Sequence, residues 1–308
     1  MKRFLLLAST FISLASHAQD ETVKKLKSES DKTIKKDETD TTNKVWKRGG
    51  IFSLNVSQGS LSNWAAGGDK FSLSLNTILS AYAFYKKGKE NWDNTVDVNF
   101  GLVNTTSLGT RKNDDRFDLW SKYGHAISSK LNLATLFNFR TQFANGYSYS
   151  GTSKTYSSTF LAPAYLLIGL GLDYKPTQNF SVYLSPITNR WVIVNDDTLS
   201  AKGLYGVTPG KKTKSEVGAF LSAQYLKAIT KTISYKGRLD LFSNYQHNPE
   251  KIDVFMTNLF SVKLSKVLAA TWNVDLIYDD DVRLFGSDGK SPAWQIKSLV
   301  GLGILLKF

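Results

Sequence analysis

The stretch WQIKSLVGLGILLKF, residues 294–308, alternates with a period of two. Its even positions are Trp294, Ile296, Ser298, Val300, Leu302, Ile304, Leu306 and Phe308. Its odd positions are Gln295, Lys297, Leu299, Gly301, Gly303, Leu305 and Lys307. Successive side chains of a strand point to opposite faces, so one face here is almost wholly apolar and the other mixed. A long strand of this kind, with lipid on one side and a lumen on the other, suits the closing strand of a transmembrane barrel. Trp294 and Phe308 are its candidate membrane and assembly-signal residues, the latter for the barrel-assembly machinery.

Counting this stretch, the same period occurs in about twelve segments: 49–58, 69–85, 90–105, 115–128, 131–146, 158–175, 179–194, 214–228, 231–246, 251–265, 268–282 and 292–308. In the second, Phe71, Leu73, Leu75 and Leu79 alternate with Ser72, Ser74, Asn76 and Ser80. Each is long enough for the roughly 9–11 residues that a tilted membrane strand needs. Short links near 86–89, 128–130, 175–179, 228–231 and 265–267 take turns with mostly longer ones at 59–68, 106–114, 147–157, 195–213, 247–250 and 283–291. Turns on one side and loops on the other predict an all-β, antiparallel, up-and-down barrel of the outer-membrane type, with both chain ends on the turn side.

Composition agrees. Tyr, Phe and Trp number 14, 18 and 7 against six Pro, and no run of 18 apolar residues follows the leader, which excludes a helical span. Lys2 and Arg3, the apolar stretch from Phe4 to Leu14, and Ser16-His17-Ala18 read as a signal peptide over 1–18, exporting the chain to the cell outer membrane. Residues 19–48 are dominated by charged and hydroxylated side chains, too polar to bury a core, and read as a disordered periplasmic extension. The barrel is expected over 49–308. There is no Cys, which removes disulfides and thiolate chemistry. The formal charge of +13 suits outer-membrane lipids and lipopolysaccharide as partners; an exported chain rarely meets nucleic acid.

The two faces separate. Tyr85, Trp92, Tyr123, Tyr174, Tyr225, Tyr235 and Trp272 fall near the turn side of the lipid face, and Phe143, Trp191, Tyr245, Tyr278 and Trp294 near the loop side, as two aromatic girdles. The lumen face carries Asp97, Asp118, Lys122, Arg140, Lys236, Arg238, Asp240, Asp253, Lys263, Asp275 and Lys297. Of these Asp97, Lys122, Arg140, Lys236, Arg238, Asp240, Lys263 and Lys297 are the lumen-lining candidates. They would form either a hydrated salt-bridged filling or a selective lining, and Lys236, Arg238 and Asp240 are placed to pair with Asp253 or Lys263. Only His125 and His247 remain after the leader, neither in a nucleophile motif, so no enzyme activity and no catalytic residue is expected. The acidic pairs and triplets at 114–115, 196–197 and 279–281 lack the spacing of a calcium loop and read as solvated loops, so no metal or cofactor is expected. Gly169/Gly171 and Gly301/Gly303 read as relief of strand curvature.

Three stretches carry more than barrel periodicity: Ser57 to Gly68 with Trp64 at its centre, Ser185-Pro186-Ile187-Thr188 continued through Asn195-Asp196-Asp197 to Val207, and Ser291 to Lys297. Together they resemble an outer-membrane family of Bacteroidota known as domain of unknown function three thousand and seventy-eight. The resemblance covers roughly 45–308; it implies a β-barrel of unassigned activity and supplies no catalytic residues. It directs attention to Trp64, Asn195, Asp196 and Asp197 as loop and interaction candidates. Two functions follow as expectations. The first is a small-solute pore or uptake channel with an anion preference from its lumen Lys and Arg. The second is a closed barrel serving as scaffold or assembly partner through its extension and loops, with a lipid-acting enzyme a distant third.

Overall fold

The computed structural model describes residues 45–60, 70–150, 153–177, 179–265, 267–282 and 291–307. The expectations for the leader, for most of the extension, for Trp64 and for Phe308 lie outside these residues. Twelve strands close into an antiparallel barrel. In chain order they are β1 (Trp46–Ser60), β2 (Phe71–Lys87), β3 (Glu90–Thr105), β4 (Gly109–Ala126), β5 (Leu131–Thr141), β8 (Ala164–Tyr174), β9 (Phe180–Ile193), β10 (Thr213–Ala228), β11 (Ile233–Asn244), β12 (Ile252–Lys263), β13 (Leu268–Tyr278) and β14 (Gln295–Lys307). All twelve coincide with alternating segments of the sequence.

Each strand pairs with the next, and β14 returns to β1, so no edge is left unpaired among the barrel strands. The outward residues are apolar and open. Ile296 and Val300 are 69% and 70% exposed, and Val56, Leu75, Leu133, Leu170 and Leu302 are also exposed. An apolar band around a whole barrel far exceeds the patches that soluble monomers tolerate, and lipid is the solvent that fits it. At the turn side the aromatics touch in two arcs. Trp46 lies 5.2 Å from Tyr85 and 5.9 Å from Trp92, and Tyr225, Tyr235, Phe260 and Trp272 continue across β10–β13 at 4.7–6.2 Å.

Four local expectations are corrected. The first strand begins at Trp46, and Trp46 and Arg48 belong to the wall, because β1 pairs with β2 from Trp46↔Tyr85 onward. The proposed loop at 106–114 is a three-residue link, 106–108; Asn104↔Thr110 and Thr105↔Gly109 extend the β3–β4 ladder through it, so the strict alternation of long and short links fails there. The polar run Arg111–Asp115 hid this, since its inward side chains face a polar lumen rather than a core. Residues 147–157 include a hairpin of β6 (Gly146–Ser150) and β7 (Ser153–Ser158), whose Tyr147 and Tyr156 stack at 5.8 Å. The segment 195–213 carries a short helix α1 (Asp197–Ala201) followed by a 3-10 turn, Leu204–Gly206.

The glycines answer to close approach rather than to curvature. Gly303 pairs with Asn55 where β14 meets β1, and a Cβ there would overlap the Leu54 carbonyl oxygen. Gly171 stands in the same relation to the Leu184 carbonyl. The β1–β14 register holds six pairs, Ile51↔Lys307 to Val56↔Leu302, against fifteen for β1–β2, so the seam is the shorter-bonded side of β1. Gly303→Val is expected to hold the seam open. The heat-modifiable folded band on cold electrophoresis should then fall to a small fraction of that of the parent, whereas Gly59→Val, with nothing within 4 Å of its Cβ position, should leave it unchanged.

Candidate functional site

The inward ladder of β4 organises the lumen. Asp114, Arg116, Asp118, Trp120 and Lys122 point inward in succession, and each meets a different strand. Lys297 on β14 reaches Asp114 at 2.9 Å and Asp275 on β13 at 2.7 Å. Arg116 contacts Asp275 at 3.5 Å, and its guanidinium lies 5.9 Å from the Phe255 ring on β12, the strand directly opposite in the ring. Asp118 accepts from Arg140 Nη2 at 3.0 Å and from Asn138 at 2.6 Å, and Arg238 on β11 stands 3.6 Å away. Arg238 also donates to Asp240 at 2.8 Å. Lys122 closes the series on Asp173 at 2.8 Å, and Lys175 adds Asp173 at 3.1 Å and Asp93 at 3.4 Å.

Two of these cations lie over aromatic rings. The Arg238 guanidinium lies 3.8 Å from the Trp120 ring centroid and that of Arg140 lies 3.9 Å from the Phe255 centroid. A desolvated guanidinium over an aromatic face gains electrostatically while its edge stays free to bond carboxylates. Beside this layer Trp120, Ala134, Leu136, Leu167, Tyr183, Phe220 and Phe242 form an apolar cluster inside the barrel, on the side of β4, β5 and β8–β11. The facing side, on β1–β3 and β13, is lined instead by small polar groups such as Ser53, Asn55, Asn99 and Asn273. The described lumen is therefore crossed at mid-height by side chains rather than open.

On the loop side of this layer lies a cavity of about 380 Å³, walled by Asp114, Asp115, Arg116, Arg140, Asp275 and Lys297, with Tyr165, Phe255 and Ile277 as its apolar surface. Asp115 is held in the wall by Lys112 at 2.9 Å and by the backbone amides of Phe143 and Ala144 at 2.9 and 2.8 Å. Next to it Arg190 bonds Glu216 at 2.6 Å and Asp253 at 2.7 Å, with Lys214 joining Glu216 to Asp281 at 2.7 Å each.

The segment 195–212 folds inward over the ends of β8 and β9. Leu199 and Val207 are buried against Ala162, Val192 and Val194, with Tyr156, Tyr165, Leu204 and Tyr205 around them. Asp196 caps the helix by accepting from the Leu199 amide at 2.9 Å, and it also accepts from the Tyr156 hydroxyl at 3.1 Å. Tyr205 sits at φ +60, a strained setting for a residue with a side chain, and its hydroxyl is tied to the Ser157 carbonyl at 2.6 Å.

The sequence candidates thus sort into groups. Lys122, Arg140, Arg238, Asp240 and Lys297 enter the crossing networks, and Asp97 faces Arg238 electrostatically. Lys236 lies exposed and Lys263 half-buried toward the turn side, away from that layer, and in place of the expected pairing with Asp253 or Lys263, Arg238 reaches Asp118 across the lumen while Asp240 takes Arg238 and Arg140. Register decides this, since Asp253 is drawn to Arg190. Asp196 is a structural cap, Asp197 is exposed and bridges Lys212 at 2.9 Å, and Asn195 is an exposed residue whose amide bonds the Leu161 carbonyl. Of the acidic segments, 196–197 keeps an exposed Asp197 as expected, whereas Asp114, Asp280 and the side chain of Asp115 are buried rather than solvated. No cluster of metal-ligating side chains occurs among the described residues. What the sequence reading missed are Trp120, Arg116 and Arg190 as centres of the networks, and it placed Asp118 on the lumen face without singling it out; the inward parity of Asp114, Arg116, Asp118, Trp120 and Lys122 was the available signal. On the lipid face His125 bonds Glu90 at 2.6 Å, whereas Ser121 bonds Trp92 and Asn94 at 2.8 Å, so the two do not form a nucleophile pair.

A family model described as "Protein of unknown function (DUF3078)" matches residues 56–147, from within β1 into β6 and so including the whole Trp64 stretch, Ser57 to Gly68. No curated protein matches the chain. Among solved structures, the translocator domain of the autotransporter NalP from Neisseria meningitidis is 12% identical with a TM-score of 0.38, covering 96% of this chain and 98% of that one. Outer membrane phospholipase A from Escherichia coli is 11% identical with a TM-score of 0.36, covering 89% and 95%. The CymD monoaromatic hydrocarbon channel is 10% identical with a TM-score of 0.34, covering 85% and 88%. At this level of likeness no activity passes from them to this chain.

One group in the loop-side cluster titrates in an accessible range. Burial, with the carboxylates of Asp253 and Asp281 beside it, pushes Asp279 up to about 7 against the pull of Arg190. The folded chain then holds this proton better than the unfolded chain does, so the associated stabilisation is present at acidic pH and lost as pH rises through about 7. Asp281 abuts Gly206 in the inward-folded segment. Amide exchange over 197–212, corrected for intrinsic rate, is expected to be faster at alkaline than at acidic pH, and Asp279→Asn should remove that difference.

Proposed function

We propose that this chain is an integral outer-membrane barrel that acts as a gated channel for small polar solutes. The observation that carries this reading is the Arg140–Asp118–Arg238–Asp240 layer, which crosses the lumen directly beneath a loop-side cavity large enough for a small molecule. A layer of paired, long side chains is a closure that can be rearranged without unfolding the wall. Breaking one pair frees two flexible side chains, whereas a filling made of backbone could not yield locally. The strip of small polar residues on β1–β3 and β13 supplies a hydrated route past the apolar cluster once the layer parts. The apolar outer wall, together with the export signal expected over residues 1–18, supports the outer membrane as its location. An anion preference loses support, because the cations of the crossing networks, Arg116, Lys122, Arg140, Arg238 and Lys297, are matched by acids.

The second reading, a closed scaffold, is favoured by the apolar cluster around Trp120 and Phe220, which fills one side of the lumen as a core would. Planar-bilayer recording of the full mature chain separates the two. The parent should be mostly closed, and the charge-conserving double change Asp118→Asn with Arg140→Gln should raise open probability at least tenfold. Folded, heat-modifiable protein that stays silent in both forms would leave the scaffold standing. The single change Asp118→Ala, in contrast, leaves Asp240 as the one carboxylate beside the two buried guanidiniums of Arg140 and Arg238 and is expected to cost roughly 3–5 kcal/mol in urea unfolding.

A further inference from the structure

The charges around the loop-side cavity balance: Asp114, Asp115 and Asp275 against Arg116, Arg140 and Lys297. This neutrality is not inherited from the chain, which carries a formal +13. It is built locally. Lys297 bridges two of the acids, Asp114 at 2.9 Å and Asp275 at 2.7 Å, and the third, Asp115, is satisfied by Lys112 and two backbone amides. An ion entering such a space would leave its own hydration behind and find no unmatched opposite charge, so its desolvation would go uncompensated. A molecule of zero net charge fares better, since each of its donors and acceptors, charged or not, can sit against the opposite sign of a lining pair with no net charge left over. It can accept from the cations and donate to the carboxylates while every pair persists, and its less polar face can rest on Tyr165, Phe255 and Ile277. The residues that wall it offer donors and acceptors together, and two of their buried atoms, the donor Arg116 Nε and the acceptor Asp275 Oδ1, have no hydrogen-bond partner among the described residues. A hydroxyl both donates and accepts, and it matches that combination.

We propose that this cavity binds small electroneutral polar solutes, and that the gated channel therefore selects against monovalent ions of either sign. The inference rests on the channel reading for its transport aspect, while the binding stands on the cavity alone. Two sources share the required chemistry: a neutral polyol and a zwitterion. Their common feature is zero net charge with donors and acceptors on one molecule.

Isothermal titration of the folded full mature protein in detergent tests this with glucose, glycine, acetate and ethylammonium as probes. Glucose or glycine, or both, should bind at least tenfold more tightly than either ion. Glucose alone would identify the polyol, glycine alone the zwitterion. Lys297→Gln leaves one acid unmatched; it should weaken the neutral probe several-fold and favour ethylammonium over acetate. Acetate or ethylammonium binding as well as the neutral probes, or no binding by glucose and glycine to heat-modifiable protein, would overturn the proposal. The two proposals fail separately. Channel opening in the Asp118→Asn, Arg140→Gln protein without neutral-solute binding removes only the solute class. Binding without any conductance removes the channel and leaves a closed barrel with a ligand site.

Discussion

A charged side chain inside a narrow barrel has little water to turn to, so nearly every one of them must find an opposite charge or an aromatic face. That constraint shapes the interior of this chain from top to bottom. The inward side of β4 carries Asp114, Arg116, Asp118, Trp120 and Lys122 in order, and each rung recruits its complement from another strand: Lys297, Asp275, Arg140 with Arg238, Phe220, and Asp173. Because those partners belong to β14, β13, β5, β11, β10 and β8, one strand pins more than half of the ring. Pairing across the lumen fixes which strands face each other, and hydrogen bonding within the wall fixes their register.

The wall obeys a different solvent. Outside, backbone groups must be satisfied by the sheet, so the barrel has to close, and closure depends on β14 coming very near to β1. Gly303 permits that approach at Asn55, and the apolar residues Ile296, Val300, Leu302, Ile304 and Leu306 face outward on the same strand. Lipid on one side and a packed polar interior on the other explain why a chain whose described residues include no helix long and apolar enough to cross a membrane is nonetheless suited to one.

The interior is uneven, and its unevenness is what gives the molecule something to do. One side is packed with Trp120, Leu136, Leu167, Tyr183, Phe220 and Phe242 and behaves as a core. The opposite side is small and polar. The loop-side mouth is shaped by segment 195–212, which turns inward because Leu199 and Val207 find apolar partners at the ends of β8 and β9. Its helix is only five residues long and could not persist without the Asp196 cap and this packing.

The sequence by itself determined the twelve spans, the direction in which each side chain points, the aromatic girdles and the side on which the turns lie. These are consequences of a period-two pattern against two solvents, and the pattern is local, so residues 294–308 already contain it. Only the tertiary structure decided who pairs with whom. Arg238 could be given Asp253 as a neighbour from the sequence, yet barrel closure delivers Asp118 from the far side of the lumen and sends Asp253 to Arg190. The extension of β4 through Arg111–Asp115, the β6–β7 hairpin and the inward fold of 195–212 escaped for a related reason. Polar residues facing a polar lumen look like loop, and a loop that packs looks like any other loop, until the strands around them set distances that no local pattern encodes.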